Sequence, residues 1–61
     1  MPVFSIDPAS GGVRAHFWGD NNKLIWWTEV YGRKAGAQHA IDLMKQHAAT
    51  APVVDRAKNA A

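Results

Sequence analysis

NNKLIWWTEVYGRKAG, residues Asn21–Gly36, sets Trp26 and Trp27 side by side and then changes its hydrophobic period. The run LIWWTEVY is dense in β-branched and aromatic residues, which suit a pleated surface. Successive side chains of an extended segment point to opposite faces, so the two indoles cannot enter the same small core. After Tyr31, Ala37, Ile41, Met44 and Ala48 recur at helical spacing with Ala40 beside them, while Lys34, Gln38, Asp42 and Lys45 lie opposite. This predicts one amphipathic helix over Arg33–Ala48, about four turns long. Gly36 weakens it by about 1 kcal/mol relative to alanine, with Trp26 as the bulky neighbour it would admit. The helix ends at Thr50–Ala51–Pro52, because a residue before proline is pushed toward extended geometry.

Upstream, Val3–Asp7 (VFSID) alternates, with Phe4 and Ile6 on one side and Ser5 and Asp7 on the other, the period of a half-buried strand. Pro8, Gly11 and Gly12 are expected to stop it. Val13–Trp18 (VRAHFW) reads as a second strand, and GDNNK as the turn into the third. Beyond the helix, Pro52–Asp55 (PVVD) is long enough for a short strand, free to pair within its own chain or with a partner's. The fold predicted is α+β: a three-stranded antiparallel meander on one helix plus a short C-terminal strand, in the order β-β-β-α-β. Residues 1–56 form one domain, and 57–61 a disordered tail.

If Asn21–Asn22 is a two-residue hairpin turn, Trp18 faces Ile25, Phe17 faces Trp26, and His16 faces Trp27. One side then carries Val13, Ala15, Phe17, Leu24, Trp26 and Thr28, and receives the helix. The other carries Arg14, His16, Trp18, Lys23, Ile25, Trp27 and Glu29, and a single helix leaves it uncovered. Each aromatic ring there brings about 150–250 Å², and apolar patches of several hundred Å² mark interaction sites. Trp18, Ile25 and Trp27 are therefore the expected centre of a homodimer contact. The alternative is nucleic-acid binding, with bases stacked on the indoles and phosphates met by Arg14, His16 and Lys23.

Composition narrows the classes further. A chain of 61 residues makes at most one domain and sits near the lower limit of independent folding. With no cysteine it gains nothing from disulfides, so a second subunit is the leading source of extra buried surface. The 48% hydrophobic content is too high for a disordered chain. No apolar run approaches the ~20 residues of a membrane span, and no secretory signal is visible, which makes a cytoplasmic protein the expectation. The net charge of +2 is spread over scattered basic residues, unlike the clustered charge of most nucleic-acid binders.

No reaction chemistry stands out. His39 and His47 lie about 80° apart around the helix and lack a nearby carboxylate, so no metal site or cofactor is expected. Glu29 is expected to pair with Arg14 across the sheet rather than to serve as a general base, which needs a pocket and an orienting partner. Gly11–Gly12 join two strands and do not lead into a helix, which excludes a phosphate-binding loop. Neither Ser5 nor Ser10 sits in a nucleophile motif. The reading is of a non-enzyme with no evident small-molecule substrate.

Phe4 and Ile6; Gly11 or Gly12, Arg14 and Phe17; Asn21 and Ile25; Thr28, Glu29 and Tyr31; Lys34 and Ala35; and Ala51, Val53 and Asp55 fall in an ordered pattern over roughly residues 3–56. In that order and spacing the chain resembles the YegP-like family of small bacterial and archaeal proteins, UPF0339, also called domain of unknown function 1508. Three positions depart from the family pattern. Asn22 replaces a turn glycine, and asparagine also visits the left-handed region. Ala15 and Trp26 exchange a large and a small residue, a volume-conserving swap of the kind cores accept. Arg33 replaces a serine or threonine that could cap the helix, at a cost of about 1 kcal/mol. The resemblance implies an α+β sheet-and-helix unit, found in tandem in some members and thus expected to pair as a homodimer here. It implies no catalytic activity.

Overall fold

The computed structural model describes residues 1–57. Strand β1 runs Val3–Ala9, β2 Gly12–Trp18 and β3 Leu24–Trp27, followed by helix α1, Lys34–His47. The strands form one antiparallel sheet in the order β1-β2-β3, and α1 packs across β2 and β1. The α+β meander and the single helix are as the sequence predicts.

β1 continues through Pro8 to Ala9, two residues past its expected end, with Pro8 opposite Val13. Only an edge strand tolerates a residue without an amide donor, and β1 is one. Gly11, at φ +89°, makes the turn into β2.

The second turn departs from the two-residue expectation. Asn21 and Asn22 do take positive φ, 61° and 58°, but the Gly19 amide donates to the Lys23 carbonyl at 2.7 Å, closing a loop one residue longer. The register recovers through an irregularity: Trp18 faces Leu24, while Phe17 faces Trp26 and His16 faces Trp27. Ile25 is the extra residue, and two residues facing one make a β-bulge. Its side chain lies over Gly19, where a Cβ would stand 2.5 Å from Ile25 Cδ1.

β3 also ends sooner than the run LIWWTEVY suggests. The Thr28 hydroxyl accepts from the buried Ala15 amide at 3.1 Å and donates to the Glu29 carbonyl at 2.8 Å, replacing a ladder bond. The chain rejoins β2 at Tyr31, which exchanges two 2.8 Å hydrogen bonds with Val13. Between these contacts, Thr28 to Tyr31 advances three residues while Ala15 to Val13 advances two. The extra residue turns the Tyr31 side chain toward the core, where strict alternation from Trp27 would have put it on the far side.

α1 starts behind Arg33, which is extended and provides no side-chain cap. Lys45 and His47 in the last turn complement the helix dipole. Gly36 accommodates Tyr31 rather than Trp26: a Cβ there would stand 2.9 Å from Tyr31 Cδ1.

The core is small. Ala15, Ala37 and Ile41 are buried, with Phe4, Ile6, Val13, Trp26 and Tyr31 packed around them. Phe4 links the three strands on this side of the sheet, 4.7 Å from the Phe17 ring and edge-on to Trp26 at 5.9 Å. Ala15 and Trp26 do share the helix side, so the small residue makes room for the large one.

The expected C-terminal strand is not formed within this chain. Pro52–Asp55 pairs with no strand, and Val53 and Val54 are 93% and 65% exposed. Valines favour extended backbone, but a strand also needs an edge to bond to, and this segment bonds to none. The tail expected over 57–61 lies, beyond Ala57, outside the described residues.

Candidate interaction surface

The sheet face away from α1 is built by the β1–β2 register, which sets Ser5 opposite His16 and Asp7 opposite Arg14. These pairings assemble a polar chain absent from the sequence reading. The Trp18 indole N–H donates to Ser5 Oγ at 2.8 Å. Ser5 donates in turn to Asp7 Oδ2 at 2.5 Å, and His16 Nδ1 approaches the same oxygen at 2.7 Å. The Ser5 hydroxyl, followed by the His16 contact, holds the Asp7 carboxyl below its ordinary 3.8, against a desolvation that works the other way.

Serine and histidine both contact the carboxylate, and no hydrogen bond joins them to each other. The order therefore differs from a nucleophile–base–orienter relay. What the chain does is hold Trp18: its ring is fixed at the N–H edge by Ser5 and covered by His16, with ring centroids 5.5 Å apart. The alternation Ser5–Asp7 and the pair His16–Trp18 were visible in the sequence; only the β1–β2 register joins them.

The residues expected at the dimer contact thus differ in their surroundings. Trp18 is half-buried against its own face. Ile25 has moved with the bulge out of the position facing Trp18, and Leu24, expected under the helix, faces Trp18 instead. Trp27 keeps its expected place opposite His16 and is 59% exposed; Ile25 is 60% exposed. The neighbouring tryptophans do divide between faces, Trp26 packing on the core and Trp27 remaining uncovered.

The residues expected to meet an anion also differ in their surroundings. His16 is engaged by Asp7, and Lys23 is exposed at the end of the turn. Arg14 is half-buried, its Nε without a hydrogen-bond partner. Among the described residues the expected Arg14–Glu29 ion pair is not formed, because the extra residue after Thr28 breaks the alternation that would align them. Among the described residues, too, no group of three histidine or acidic side chains converges to hold a metal, and no helix is long and apolar enough to cross a membrane.

A second feature lies between β3 and α1. An open groove of about 560 Å³ runs along the outer edge of β3, lined by Trp26, Trp27, Tyr31, Leu43, Met44 and Ala48 among others. No residue pattern signals it, since it depends on how far α1 reaches over the third strand.

Residues 9–55 match the model of a domain of unknown function, DUF1508. The chain is similar to UPF0339 protein Msl4696 of Mesorhizobium japonicum, 49% identical over 35 residues that cover 57% of this chain and 60% of that protein. The aligned stretch thus spans less than two thirds of the relative's length. No solved structure matches. With the family pattern running through β2, β3, α1 and the segment after it, this chain belongs to the DUF1508 family.

Proposed function

We propose that this chain is a homodimerising interaction module whose contact centres on Trp27 and Ile25, with the rim of Trp18 beside them. The observation that carries this reading is an imbalance of burial. Among the described residues, Ala15, Ala37 and Ile41 are the buried hydrophobics and no large side chain is fully buried, whereas Trp27, Ile25, Leu24 and Leu43 remain exposed. Small domains ordinarily compensate for so small a core by association, and an aromatic anchor ringed by polar groups describes an interface centre and its rim.

Sedimentation at micromolar concentration tests it. A mass twice that of the chain is expected, shifting to the monomer in Trp27→Ala with the folded spectrum retained, since the exposed indole contributes little to its own subunit. A wild-type monomer, or a Trp27→Ala dimer of undiminished affinity, overturns it. Binding of nucleic acid is the weaker reading, because Asp7 places a carboxylate against His16 where a phosphate would have to approach. It would gain support from tryptophan quenching by single-stranded oligonucleotides that fades steeply with salt.

A further inference from the structure

We infer that the cleft between the Trp18 indole and the Asp7 carboxylate is a binding site for a primary alkylammonium group. This goes beyond the homodimer reading and does not depend on it.

The cleft is the first ground. It is open, about 360 Å³ in volume, and lined by Val3, Ser5, Asp7, Trp18 and Asn22. Val3, Ser5 and Asp7 stand at alternate positions of β1, and Trp18 faces Val3 from β2, so one face of two strands builds most of it. An aliphatic side chain and an indole form its apolar part; a carboxylate, a hydroxyl and an amide form its polar part. That division suits a ligand with a hydrocarbon stem and a polar end.

The sign of the charge is the second ground. Asp7 is the one ionisable side chain lining the cleft, and its side chain is 42% exposed. Its contacts with Ser5 and His16 both fall on Oδ2, and among the described residues no donor reaches Oδ1. Arg14 faces Asp7 in the register, yet among the described residues no ion pair joins them. An anion approaching this wall meets like charge, whereas a cation meets a carboxylate oxygen with no partner, the acceptor of a charge-assisted hydrogen bond.

The ring narrows the class. Trp18 is fixed at its N–H by Ser5, and His16 lies against it without lining the cleft. The indole surface inside the cleft is therefore one that His16 leaves open, and an indole face attracts a cation within about 6 Å. A guanidinium fork uses both carboxylate oxygens, but Oδ2 already has two partners. A divalent metal needs several oxygen ligands, and one carboxylate is all the charge present. An ammonium is a compact charge with three donors. It would donate to Asp7 Oδ1, to the remaining lone pair of Ser5 Oγ and to the Asn22 amide, with its carbon stem along Trp18 and Val3. Trp27 stands on β3, across β2 from this cleft, so a ligand here and a second copy at Trp27 occupy different ground.

NMR of the isotope-labelled full-length chain tests this, with the diamine cadaverine as probe and pentanediol as its uncharged match. Saturable shifts of the Trp18 indole N–H and the Asn22 side-chain amide are expected with cadaverine and not with pentanediol. Asp7→Asn is expected to weaken the binding at least tenfold. Val3→Asp adds a second carboxylate to the wall at an exposed position and is expected to tighten it at least threefold, which keeps the test decisive if Asp7→Asn disturbs the sheet. N-acetyl-lysine methylamide separates the two sources of the group: an equal response supports a protein's lysine side chain, and its failure beside a cadaverine response supports a free amine. An equal response to pentanediol overturns the site. So do cadaverine shifts spread evenly over the amides beside Glu29, Asp42 and Asp55, or an unchanged affinity in either variant. A monomeric wild type would overturn the homodimer and leave this site standing.

Discussion

The Tyr31 ring lies against the backbone of Gly36, where a Cβ would come within 2.9 Å of Tyr31 Cδ1 and 3.1 Å of its Cβ and Cγ. The ring cannot swing away freely, because the Tyr31 backbone is held to Val13 by two 2.8 Å hydrogen bonds. Helix propensity alone would make Gly36→Ala stabilising by about 1 kcal/mol. Overpacking costs about 1–3 kcal/mol, so the clash should prevail and the variant should lose about 1 kcal/mol in urea denaturation. In a Tyr31→Ala background the same substitution should become stabilising. That reversal is the signature of the contact, and its absence would refute it.

Gly11 and Gly12 adjoin each other and should respond very differently. At Gly11, φ +89°, a Cβ meets nothing within 4 Å, so alanine bears only backbone strain, about 1 kcal/mol. At Gly12 a Cβ would stand 2.0 Å from the Tyr31 carbonyl oxygen, a backbone atom bonded to the Val13 amide. Gly12→Ala should therefore cost at least about 3 kcal/mol, as other severe steric disruptions do, and release the Tyr31 bridge. Thermal melts of the two variants give the ranking, and equal losses would contradict it.

Acid should weaken the fold through Asp7. Its carboxyl is held below the ordinary 3.8 in the folded chain, so its contribution is present above the unfolded value and is lost as pH falls through the folded one. Asp7→Asn should flatten the fall in stability below about pH 4, where unfolded aspartate titrates. Ser5→Ala should raise the Asp7 pKa toward its ordinary value and free the Trp18 indole N–H. An NMR titration of Asp7 that Ser5→Ala leaves unmoved would show that the hydroxyl is not the principal cause.

Thr28→Val keeps the shape of the side chain and removes the acceptor of the Ala15 amide. Ala15 is fully buried, and an unpaired buried amide costs about 1–3 kcal/mol. Hydrogen exchange should accelerate at Ala15 more than elsewhere in β2, and chemical denaturation should register the loss. Unchanged protection at Ala15 would mean that another acceptor takes over.

The strand-to-helix change after Tyr31, the opposite destinations of Trp26 and Trp27, the positive φ of Asn21 and Asn22 and the want of a cap at Arg33 were all legible, because each depends on a residue's own chemistry or on spacing along one element. Register was only partly so. The pairs Phe17–Trp26 and His16–Trp27 were anticipated, yet Trp18–Leu24 was not. Local preference at the asparagines permits either loop length, and the choice is made where Ile25 can bulge over Gly19.

Sequence by itself determined the alternating and helical stretches, and with them an α+β layer having one side short of cover. Tertiary structure alone decided the extra residues at Ile25 and before Tyr31, the polar chain from Trp18 through Ser5 to Asp7 and His16, the groove beside β3, and the unpaired course of Pro52–Asp55. The physical reason is that side-chain periodicity is written along a single strand or helix. Hydrogen-bond partners, steric openings and strand pairing arise between segments, and are chosen by which arrangement satisfies the backbone and packs the side chains together.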